Sequence, residues 1–216
     1  KQMLGELNPH YATSLHNLAA LYHSMGEFDK AEPLCIQACD IRKQVLGELH
    51  PDYAISLNNL AEMYSSMGDY TKAEHYYIQA CEIRIQVLGE LHPNYAVSLN
   101  KLGLLYHSMG EFSKAELLFI QSRNIRKQVL GVLHPEYATS LNNLANLYEA
   151  MGEFTKAESL HIQSRDIRKQ VLGELHPDYA SSLNNLAALY LSMGEYARAE
   201  PLYLQALVIK KTALGE

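Results

Sequence analysis

The sequence predicts an all-α solenoid of antiparallel helical hairpins, and three observations carry that reading. Pro-x-Tyr-Ala recurs every 42 residues, at Pro9, Pro51, Pro93, Pro135 and Pro177. A Met-Gly pair recurs with the same period, at Met25, Met67, Met109, Met151 and Met193. Between these markers the apolar residues fall at helical spacing. A fixed period of roughly 20–50 residues marks stacked repeats, in which each unit hides its apolar face only against its neighbours. The expected layout is one array of five units, 9–50, 51–92, 93–134, 135–176 and 177–216, preceded by the tail of another unit at 1–8. Lys1 to Glu6 reads like Lys43 to Glu48, and Lys211 to Glu216 stops at that same phase, so a segment of a longer array is expected.

The second unit shows how each element arises. His50 precedes proline and is pushed toward extended geometry, while Pro51 suits the first helical position. Asp52 then lies in the first turn, where negative charge is favourable. Tyr53, Leu57, Leu60, Ala61 and Tyr64 form one apolar stripe of an amphipathic helix, helix A, and Gly68 ends it. The second helix, helix B, is expected to start at capping boxes: Thr71-x-x-Glu74, Ser113-x-x-Glu116 and Thr155-x-x-Glu158, with Asp29-x-x-Glu32 as a near equivalent. Ala197 lacks the hydroxyl, which predicts a loss of about 1 kcal/mol there. Ala73, Tyr77, Ala80, Ile83 and Val87 form the expected inward stripe of helix B, and Gly89 ends it. Pro33 and Pro201 are placed in the first turn of their B helices, with local adjustment rather than a break. Ala61, Ala80 and Gly103 let helices approach closely, and the short A-to-B link forces an antiparallel pair.

Composition narrows the function. The chain is 48% hydrophobic and 19% charged, typical of globular chains, and its net charge of −6 disfavours binding along a nucleic-acid backbone. No apolar run reaches the roughly 20 residues needed to cross a bilayer, so no membrane partner is expected. Arg123, Arg126, Lys127 and Arg165, Arg168, Lys169 fall near B-helix C-termini, where a solvated role beside the helix dipole is expected. Three cysteines, Cys35, Cys39 and Cys81, and the lack of any Asn-x-Ser/Thr site favour a reducing, cytoplasmic setting.

Catalytic and metal chemistry find no support. His50, His92, His134 and His176 recur with the period, but equivalent points of successive hairpins lie too far apart to share an ion. Cys35 and Cys39 lack a second pair and read as small buried hydrophobes. Phosphate loops, nucleophile elbows and His-Glu-x-x-His are absent, so neither an enzyme nor a cofactor is expected.

Leu60-Ala61, Tyr64, Gly68, Tyr70, Ala73 and Ala80 together resemble the tetratricopeptide pattern of small and aromatic packing positions. The run His-Pro-Asp-Tyr-Ala, then Leu-Asn-Asn-Leu-Ala and Ile-Arg-x-Gln-Val-Leu-Gly, resembles the 42-residue repeats of kinesin light chains over the whole chain. The resemblance implies a right-handed superhelix whose A helices line a concave groove for extended or helical peptides. Carried onto the second unit, the groove positions are Ile55, Asn58, Asn59, Glu62, Ser65 and Ser66. Kinesin light chains read acidic, tryptophan-containing cargo through basic groove residues. Here the groove holds Lys101 beside Glu62 and Glu149, so that preference is not carried over.

Comparing units internally separates framework from surface. Tyr22, Tyr64, Tyr106, Tyr148 and Tyr190 never change, whereas one groove position reads Ala20, Glu62, Leu104, Asn146 and Ala188. The strongest candidates form an asparagine ladder. His16, Asn58, Asn100, Asn142 and Asn184 share one phase; Asn17, Asn59, Lys101, Asn143 and Asn185 share the next. With Glu62 and Asn146 they make the candidate binding set. Asparagine both donates and accepts, so the ladder can hold the amides of an extended peptide or bond neighbouring helices. The leading expectation is a protein-binding scaffold for a peptide or partner helix. Two alternatives are an array that associates end to end with its own copies and a sensor arm of a larger signalling protein.

Overall fold

The computed structural model describes residues 8–214, so the tail at 1–7 and the last two residues lie outside the description. Among the described residues there are ten helices and no strand. They are α1 (Pro9–Ser24), α2 (Phe28–Leu46), α3 (Pro51–Ser66), α4 (Tyr70–Leu88), α5 (Pro93–Ser108), α6 (Phe112–Leu130), α7 (Pro135–Ala150), α8 (Phe154–Leu172), α9 (Pro177–Ser192) and α10 (Tyr196–Leu214). Odd-numbered helices are the A helices and even-numbered ones the B helices. The chain forms two compact units, residues 1–110 with α1–α5 and residues 111–216 with α6–α10.

Each A helix begins where proline predicts, with a capping device the sequence concealed. In unit 1, the Nδ1 atoms of His50 and His92 accept from the amides of Asp52 and Asn94 at 3.1 Å. In unit 2, His134 and His176 do the same for Glu136 and Asp178. The pre-proline residue is extended, as expected, and its imidazole turns back over the first orphan amide. Asn8 fills this role ahead of α1. At the other end Gly68 takes φ 80°, which lets the chain reverse between α3 and α4.

The B helices start two residues earlier than the capping-box reading requires. α4 begins at Tyr70 with Asp69 as its cap, accepting from the Lys72 amide at 3.1 Å. Thr71, Ser113 and Thr155 are therefore already inside their helices, and Ala197 likewise lies within α10, so no cap is lost there. Pro33 lies in the second turn of a continuous α2, not in the first.

The supposed box glutamates serve another purpose. In unit 1 the hydroxyls of Tyr64 and Tyr106 donate to Glu32 and Glu74 at 2.7 and 2.5 Å. In unit 2 Tyr148 and Tyr190 donate to Glu116 and Glu158 at 2.7 and 2.8 Å. Each bond ties a B helix to the A helix of the next hairpin.

A second tie crosses the same seams. Arg42 and Arg84 donate to Ser56 and Ser98 at 2.7 Å, and Arg126 and Arg168 donate to Ser140 and Ser182 at 2.9 Å. Arg42, Arg84 and Arg126 are buried, and Arg168 is half-buried. Arg126 and Arg168 are thus not the solvated groups expected near a helix end, although Lys127 and Lys169 are exposed. Long guanidinium stems cross the seam while serine oxygens accept from the charged head, joined at Arg126 by the Glu136 carboxylate at 3.1 Å.

Apolar packing fills the rest. In unit 1, Cys39, Ala54, Leu57, Ala80 and Ile83 form one cluster over α2, α3 and α4. In unit 2, Tyr179, Ala180, Leu183, Ala206 and Ile209 join α9 to α10. Ala54, Ala61, Ala73 and Ala80 have no exposed surface, as close helix approach demands. Val87 is 42% exposed, against expectation; Arg84 takes the interior place instead. The three cysteines are buried free thiols, and burial pushes Cys35 up to about 11 and Cys39 and Cys81 up to about 12.

Candidate peptide-binding face

The candidate residues divide into interior and accessible groups, and the division follows helix phase. In unit 1, Asn58 is only 3% exposed; its Nδ2 donates to the Ala54 carbonyl and to Ser98 Oγ, both at 3.0 Å. Asn100 is also buried. In unit 2, Asn142 is buried and its Oδ1 accepts from Asn185 Nδ2 at 2.7 Å. These three side chains therefore lie between helices, so the ladder phase they share is largely an interior one. Asn184 of the same phase is half-buried.

The neighbouring phase stays in reach of solvent. Asn17 is exposed on α1, Asn59 and Lys101 are half-buried on α3 and α5, and Glu62 is exposed. In unit 2, Asn143 and Asn185 are half-buried and Asn146 is exposed. Polar rungs link successive A helices across this face. Asn59 Nδ2 lies 3.0 Å from His16 Nε2, and Lys101 Nζ lies 2.6 Å from Glu62. Ser192 donates to Glu149 at 2.7 Å in unit 2. Burial lowers the His16 pKa, aided by Arg42 and opposed by Glu62, so a neutral ring accepts from Asn59.

Between α1 and α3 these rungs border a cleft of about 220 Å³. Its walls include the apolar Ala19, Ala20, Met63 and Cys35, and its rim carries His16, His23, Asn59 and Glu62. Ile55 and Leu104 add exposed apolar surface to α3 and α5. Such a face can hydrogen-bond backbone amides at its rim and receive an apolar side chain within. Among the described residues, no three His, Cys, Asp or Glu converge as metal ligands, and no helix is long and apolar enough to cross a membrane.

These hairpins and their repeated seams define a helical-repeat solenoid protein. The tetratricopeptide repeat profile matches residues 10–86, 67–128, 118–160 and 136–212. The chain belongs to the tetratricopeptide repeat family, a family of protein-interaction scaffolds. Among solved structures it is similar to BtubC (BKLC) from P. vanneervenii, with 26% identity and TM-score 0.81, covering 96% of this chain and 83% of that one. It is also similar to a Podosopora anserina putative kinesin light chain of nearly identical TPR-like repeats, with 28% identity and TM-score 0.77, covering 95% and 98%. The Rap protein complexed with Competence and Sporulation Factor shares the fold at 15% identity and TM-score 0.74, over 90% of this chain and 52% of that chain. No curated protein matches the sequence.

Proposed function

We propose that the chain captures an extended segment of a partner protein on the exposed face of its A helices. The α1–α3 cleft carries this reading, because it pairs an apolar interior with amide and imidazole groups at its rim. A peptide strand laid across Asn17, Asn59 and Lys101 meets side chains that donate and accept along its backbone. One apolar side chain of the peptide fills the space between Ala20 and Met63. Glu62 and Lys101 neutralise each other, so the face favours an uncharged, amphipathic segment over a strongly acidic one. The Rap complex is a precedent for the fold and not for these residues.

The test is selection of peptides from a random displayed library on the intact chain, followed by fluorescence anisotropy with the recovered peptide. Replacing Asn59 and Ala20 with Ala and Glu respectively removes the Asn59–His16 rung and blocks the cleft while leaving the tyrosine and arginine ties untouched. Affinity should fall at least tenfold, about 1.4 kcal/mol, with helicity unchanged. Equal affinity in this double variant removes the cleft from the argument.

A further inference from the structure

The second and fourth hairpins treat the same space differently. In unit 1 the rings of Tyr64 on α3 and Tyr76 on α4 stack with centroids 5.7 Å apart and planes 11° apart, and His75 meets Tyr76 edge-on at 5.3 Å. The Lys72 ammonium lies 4.6 Å from the Tyr64 centroid. Two periods on, in unit 2, Tyr148 and Lys156 keep this frame, with the ammonium 5.0 Å from the ring centroid. The other two rings are missing: Leu160 stands at the phase of Tyr76, and Ser159 at that of His75. In their place is a cleft of about 340 Å³, lined by Arg123, Tyr148, Thr155, Lys156, Ser159 and Leu160.

The charges around this cleft leave one cation available. Arg123 on α6 stands at the phase of the buried Cys39 and brings a guanidinium to the wall. Its Nε and Nη2 donate to Asn124 Oδ1 at 3.2 and 2.9 Å, and among the described residues nothing accepts from its Nη1. Lys156 is paired with Glu153 at 2.6 Å, and Glu116 accepts from the Tyr148 hydroxyl at 2.7 Å. The cleft thus offers a tyrosine ring, the Leu160 side chain and one guanidinium. Near-parallel rings at the separation seen between Tyr64 and Tyr76 attract each other beyond the area they bury. A guanidinium adds to such a site by stacking on a ring or by donating to a carbonyl, and neither requires a charged ligand.

We infer that this cleft receives an aromatic side chain of a partner protein, which completes against Tyr148 the stack that Tyr76 completes against Tyr64. The partner's ring lies between Tyr148 and Leu160, and a main-chain carbonyl of the same segment accepts from Arg123. The occupant is an amino-acid side chain because the chain's own filling of the equivalent space is one, and because the family consists of protein-interaction scaffolds. The site shares no residue with the α1–α3 cleft, so it is a second point of contact and does not rest on the first.

The chain has no tryptophan, so the fluorescence of N-acetyl-tryptophanamide can be followed selectively while the intact chain is titrated into it. Binding should saturate, and N-acetyl-tyrosinamide should displace the probe at a concentration about tenfold below that of N-acetyl-leucinamide. Leu160→Tyr refills the space with the residue unit 1 carries there, and Arg123→Ala removes the available guanidinium. Each should weaken the probe about tenfold with circular dichroism unchanged. Arg123 takes no part in the seam ties, so its variant decides the matter even if Leu160→Tyr does not fold. Ala20→Glu, in the α1–α3 cleft, should leave the probe's affinity as it was. Absence of saturable binding, equal displacement by N-acetyl-leucinamide, or affinity that survives Arg123→Ala overturns the inference. Loss of the probe in Ala20→Glu overturns it as well, by moving aromatic recognition to the A-helix face.

Discussion

His161 on α8 makes the fold sensitive to acid, although it is only 1% accessible to solvent. Neither ring nitrogen has a hydrogen-bond partner, and burial, reinforced by Arg168, lowers its pKa from 6.5 to about 4. The unfolded chain therefore takes up a proton before the folded chain does. Stability from this group is complete above pH 6.5, falls as pH drops from there toward 4, and changes no further below. The gap between 6.5 and about 4, at about 1.4 kcal/mol per pH unit, amounts to a loss of about 3 kcal/mol. Phe119 occupies the same phase in the third repeat, so His161→Phe places a residue the fold already accommodates. The variant should gain about 1–3 kcal/mol at neutral pH, because two buried unpaired nitrogens are removed. Urea unfolding followed by circular dichroism at several pH values between 7.5 and 4 measures both forms. Carboxylates common to the two cancel in the difference. The variant's advantage should widen as pH falls, and an advantage that stays constant over this range refutes the argument.

Three further outcomes follow from the seams and the core. Arg84→Ala removes the bonds to the Asn94 carbonyl and Ser98 Oγ and opens space between α4 and α5, so denaturant unfolding should report a loss of about 2–4 kcal/mol. Tyr106→Phe deletes only the hydroxyl bonded to Glu74 and should cost about 1–2 kcal/mol in the same assay. Burial holds the three thiols at about 11 to 12, so at near-neutral pH they should react with Ellman's reagent far more slowly in the native chain than in urea.

Local signals are easy to read because their partners are close in sequence. Pro51 opens a helix and Gly68 closes one through their own backbone preferences. Glu74 misleads for the same reason: Thr71-x-x-Glu74 satisfies a local pattern, while the actual donor, Tyr106, is 32 residues away. Arg84 is hidden by its charge, which argues for water until a serine 14 residues on is seen to accept from it. Internal comparison could have exposed both ties, since Arg42, Arg84, Arg126 and Arg168 recur together with Ser56, Ser98, Ser140 and Ser182. The asparagine ladder is legible as a phase but not as a location. One helical position separates Asn58, locked against Ser98, from Asn59, which faces the cleft. A stripe drawn from periodicity alone is too broad to divide them.

The tyrosine and arginine ties keep constant offsets of 32 and 14 residues at every seam. The array's length is consequently quantised. Removal of one whole period leaves Glu74 facing Tyr148 and Arg84 facing Ser140, so both kinds of tie are restored across the join. An excision one residue longer or shorter turns the following helix by about 100° relative to the preceding hairpin and breaks the ties that span the cut. Recombination within such a coding sequence is thus filtered toward whole-module gains and losses.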